Sequence, residues 1–79
     1  MTRNEDIADL FRHAAVALAV NPYQTIGRAI CDLGPNQRII DAAAFFFIRL
    51  FGYRYHIADE DHVFMLLWAA LMAEEGALE

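Results

Sequence analysis

The densest group of side chains able to bind a metal is His56, Asp59, Asp61 and His62, within the stretch from His56 to His62. Imidazole and carboxylate donors suit a divalent metal when they converge on one point. This spacing corresponds to no recognised metal motif. Acids just before a helix also have another use, because they cap free amides and favour the positive end of the macrodipole. The capping role is the preferred account, and no metal is assigned.

Cys31 is the single cysteine, with Arg28 one helical turn before it and Asp32 adjacent. A base or cation lowers a thiol's pKa and turns it into a nucleophile. Free cysteine more often serves as an inert, buried small hydrophobe, which is the preferred reading of Cys31. The chain contains no Ser, no Lys and no glycine-rich phosphate loop. The inventory therefore points away from an enzyme and away from a bound cofactor.

Ile30, Gly34 and Ile40 fall in a helix, glycine turn, helix order, with Asn36, Gln37 and Arg38 opening the second helix. Those three residue types can read adenine and guanine edges in a major groove, as in a helix-turn-helix. Two features oppose this. The second helix becomes almost wholly apolar after Asp41, and a net charge of -5 lacks the basic footprint of a phosphate binder. The expectation is two packed helices joined by a capped turn, with nucleic acid a disfavoured partner.

The elements that position these groups are legible from periodicity. Thr2 and Glu5 have capping-box spacing, and Ile7, Leu10, Phe11, Ala14, Ala17 and Leu18 then recur on one helical face. Asn21 and Pro22 end that helix and open the next, with Gln24 completing a second box. Gly34 is expected to end the second helix in the left-handed conformation. Pro35 or Asn36 starts the third, which runs to about Gly52, and Tyr53 to Ala58 is a connector. Asp59 caps the fourth helix, which Gly76 terminates. The fold class is thus all-α, one domain over residues 1–79, a bundle of four helices at roughly 3–20, 22–33, 36–51 and 59–75.

Hydrophobic residues make up 58% of the 79 residues, which excludes disorder and exceeds what so small a monomer readily hides. On the third helix Arg38, Asp41 and Arg49 share one narrow stripe with Phe45 and Gly52, and everything else after Gln37 is apolar. From Val63 to Ala73 the fourth helix is apolar on every side. Two amphipathic helices, one of them short, cannot wrap both, so completion by a second copy, in a two-fold homodimer, is expected.

Phe45 and Trp68 are the expected interface anchors, with Arg49, Tyr53, Arg54 and Tyr55 as further partner-binding residues, because aromatic and arginine side chains dominate interface hot spots. A lone cysteine fits a reducing, cytoplasmic setting. The N-terminal residues lack a signal-peptide core, and no apolar run is long enough for a membrane span. The functional expectation is a non-enzymatic protein-protein interaction module, a dimeric regulator or inhibitor of a larger protein. Small, acidic, single-domain chains of this sort occur among phage and mobile-element products that block host machinery, CRISPR inhibitors included. The alternatives are a helix-turn-helix-like DNA-binding regulator and a structural or chaperone-like subunit of a larger assembly.

Overall fold

The computed structural model describes residues 4–58 and 60–76, and the described residues contain helices and no strand. The expected caps Thr2 and Asp59 lie outside them. In chain order the elements are α1 (Asn4–Val20), α2 (Ile26–Leu33), α3 (Gln37–Phe51), a 3-10 turn (Gly52–His56) and α4 (His62–Glu74). No helix of the described residues is long and apolar enough to cross a membrane.

Helix α1 forms where its spacing predicts. Ile7, Ala8, Leu10, Phe11, Ala14, Ala15 and Leu18 are buried on one face, and Glu5 and Asp6 occupy the first turn, where the macrodipole favours acids. It lies against α4 in the most extensive helix contact of the fold. The two run antiparallel. Pro22 and Tyr23, past the end of α1, share a surface hollow with Ala58 and Glu60, before the start of α4. Farther along, Arg12 pairs with Glu74 at 2.7 Å. Small side chains permit the close approach: Ala14 and Ala15 on α1, and Ala69, Ala70 and Ala73 on α4, are all buried.

Helix α2 begins four residues later than expected. Gln24 does not close a capping box there; its Nε2 donates back to the Ala17 carbonyl at 3.4 Å, so it serves the end of α1. Thr25 is the true N-cap, its hydroxyl accepting from the Arg28 amide at 3.0 Å. The expectation for Gly34 also needs correction. Its φ of -66° and ψ of 132° are extended, not left-handed. Glycine is required for a different reason: a Cβ there would fall inside the Ile40 side chain, which packs across the turn. Helix α3 then starts behind Asn36, whose side chain accepts from the Ile39 amide at 3.0 Å.

The described glycines with positive φ lie instead after α3 and α4, where Gly52 and Gly76 both have φ 68°. The connector after α3 is a 3-10 turn, neither loop nor strand, and it carries Tyr55 into the core. Phe11 contacts Phe46 and Phe47 at ring-centre distances of 6.0 and 6.2 Å. Phe47 contacts Phe51 at 4.9 Å and Tyr55 at 6.0 Å. This aromatic chain joins α1, α3 and the turn into one core. Helix α4 opens at His62 and not at residue 59, because Glu60 and Asp61 form a turn whose Asp61 carbonyl accepts the first helical bond, from Met65 at 3.1 Å.

Candidate interaction surfaces

Helix α4 turns its bulky side chains outward. Met65, Leu66, Ala69, Ala70 and Ala73 face the core, while Phe64, Leu67, Trp68 and Leu71 are between 47% and 74% exposed. Their spacing of three and four residues makes one continuous stripe. No charged residue interrupts it between His62 and Ala73; Glu60 and Asp61 precede it and Glu74 and Glu75 follow it. At its edge Phe51, Phe64, Met65 and Trp68 line a shallow cleft of about 260 Å3. Arg54 borders the same place, its guanidinium directed at the Met65 sulfur at 3.5 Å.

A second surface lies on α3. Phe45 is 64% exposed, and the Arg49 guanidinium sits 5.6 Å from its ring centre, within cation-π range. Arg38 is exposed on the same stripe, and Tyr53 is exposed just beyond the helix. The expected partner residues thus divide: Trp68 and Arg54 adjoin the α4 stripe, and Phe45 and Arg49 form a pair on α3.

Tyr55 is not a surface residue and is corrected to a core role. Only 7% of it is exposed. Gly27 makes this seat: a Cβ there would approach the Tyr55 ring to 2.9 Å and its carbonyl to 3.3 Å. Burial pushes the phenol above the ordinary tyrosine range, with Cys31 and Asp41 adding to the rise. Phe64, Leu67 and Leu71 were not singled out from sequence. The available signal was size: on a helix apolar all round, its alanines fall toward α1 and its largest residues away from it.

The groups with chemical promise are placed otherwise. Cys31 is exposed, which corrects the expectation of a buried thiol, and neighbouring Arg28 is engaged with Asp32 at 3.0 Å. His56 is exposed with its ring edge-on to Tyr55, whereas His62 is buried. Among the described residues no three His, Cys, Asp or Glu side chains are grouped to hold a metal. Asn36 is occupied as the α3 cap, and Gln37 donates to Asp41 at 2.7 Å, so two of the three side chains weighed for base reading serve the fold. No family model matches the chain, and comparison with curated proteins and with solved structures yields no similar protein.

Proposed function

We propose that this chain is a non-enzymatic protein-protein interaction module that works as a homodimer, closing the outer face of α4 on a second copy, and that the dimer regulates or inhibits a larger cytoplasmic protein. The observation that carries this is the uninterrupted stripe of Phe64, Leu67, Trp68 and Leu71. Together these side chains offer roughly 500 Å2 of surface, at the upper end of what a soluble monomer leaves uncovered. Half-buried Phe51 at the cleft's edge extends this face, which supplies the greater part of the ~800 Å2 per partner of a standard interface. A phage or mobile-element setting is proposed on small size and acidity alone.

The test is absolute mass by light scattering across micromolar concentrations. The wild type gives twice the chain mass of 9.0 kDa, and Trp68→Glu gives a single chain with unchanged helical circular dichroism. Because each copy carries -5, added salt screens repulsion and tightens the dimer. A wild type that stays monomeric, or a Trp68→Glu variant that still pairs, overturns the assignment.

A further inference from the structure

Charge in this chain is segregated along its length. Residues 33–58 hold Arg38, Arg49 and Arg54 against the single Asp41, a net +2, so the remainder of a chain at -5 carries -7. The ion pairs follow the same division. Arg12 is engaged with Asp9 and Glu74, and Arg28 with Asp32, whereas Arg38, Arg49 and Arg54 have no carboxylate partner among the described residues. The one carboxylate on the α3 stripe, Asp41, is held by Gln37. At roughly 100° per residue, Gln37 and Asp41 lie to one side of the line through Arg38, Phe45 and Arg49. The arginines are thereby left without a carboxylate, and Arg49 rests over the exposed ring.

From this we infer that the outer face of α3, with Arg38, Phe45 and Arg49 as its contacts, is a docking surface for an acidic amphipathic segment of another protein. Arg38 and Arg49 are about 16 Å apart along the helix axis, three turns. A partner helix with carboxylates at that separation and an apolar residue between them meets both guanidinium groups while covering Phe45. Guanidinium forks favour carboxylates in this way. A second copy of this chain does not fit: a two-fold axis through the face sets arginine against arginine, and a head-to-tail contact leaves an open chain of copies. A nucleic acid fits less well than a protein carboxylate, since three arginines oppose -7 elsewhere and Asn36 and Gln37 are occupied. The inference rests on the chain being an interaction module, and it is independent of pairing through α4.

The test is fluorescence anisotropy with three labelled probes: a helical peptide of roughly 16 residues built from Glu and Leu, its Lys-for-Glu counterpart, and a DNA duplex of about the same length. The acidic peptide binds, and weakens several-fold between about 50 and 200 mM salt, opposite to the dimer. Arg38→Glu/Arg49→Glu loses at least about tenfold in affinity with helicity intact, while Arg28→Glu, on the far side of the charge division, loses little. Trp68→Glu keeps peptide binding even if it abolishes or fails to abolish dimerisation, which separates this inference from the α4 assignment. Failure of the acidic peptide to bind, equal binding of the basic one, preference for the duplex, or an equal loss in Arg28→Glu each overturns it.

Discussion

Helix α3 buries only Ala43 and Phe47 completely, whereas α4 buries six residues, yet α4 keeps the more apolar outer face. The difference lies in what marks the outside of each helix. On α3 it is marked by charge, with Arg38, Asp41 and Arg49 along the stripe and Phe45 set among them. On α4 nothing polar marks it between the acids at its two ends. There, side-chain size chooses the face: the alanines allow α4 to lie close against α1, and Phe64, Leu67, Trp68 and Leu71 are too large for that seam. One helix therefore offers a surface suited to a charged partner, and the other a surface that gains only by losing water.

Adjacent leucines on α4 give the sharpest break of this comparison. Leu66 is completely buried and Leu67 is 47% exposed. Leu66→Ala leaves a cavity and costs about 2–5 kcal/mol, a large share of the stability of so small a domain. Leu67→Ala leaves the monomer's unfolding free energy within about 0.5 kcal/mol of the wild type and weakens pairing instead. Urea unfolding, read beside light scattering, separates the two. Equal destabilisation by both substitutions would mean that α4 is not one-sided.

A smaller effect is expected at the start of α3. Gly34→Ala puts a methyl into the space filled by Ile40 and 3.1 Å from the Ile30 carbonyl. The turn or the side chain must shift, at a cost of about 1–3 kcal/mol. Gly34→Ala/Ile40→Ala recovers part of that loss, because the second change empties the contested space. A double variant no better than the sum of its parts would remove the steric account of Gly34.

Much of the architecture was legible because its signals are local. Asn36 and Gly52 act within one turn of themselves, and the 3.6-residue period of α1 survives into the folded chain. The contacts that sequence did not disclose are between elements. Gln24 reaches back to Ala17, Ile40 occupies the space over Gly34, and the Tyr55 ring covers Gly27. Each makes a residue look like a cap, a left-handed turn or a surface aromatic until its distant neighbour is in place. The surface aromatics followed the same rule. Phe45 was readable from the charges beside it, whereas the stripe on α4 required knowing that α1, with its own alanines, lies on the other side.

Tyr55 supplies the mildest test, since it sits where the α3 side of the molecule closes over α2. Its phenol is held above the ordinary value of 10.0 by burial first, then by Cys31 and Asp41. The native state therefore keeps its proton at a pH where the unfolded chain has begun to lose it. Stability owed to this group is present below the unfolded pKa and falls as pH rises through the raised native one. Tyr55→Phe has no phenol to ionise. It should match the wild type near neutrality, within about 1 kcal/mol, and exceed it increasingly above about pH 10. Urea midpoints measured from pH 8 upward check this. Parallel declines of the two proteins would place the phenol in water, and would return Tyr55 to the exposed face shared by Phe45 and Tyr53.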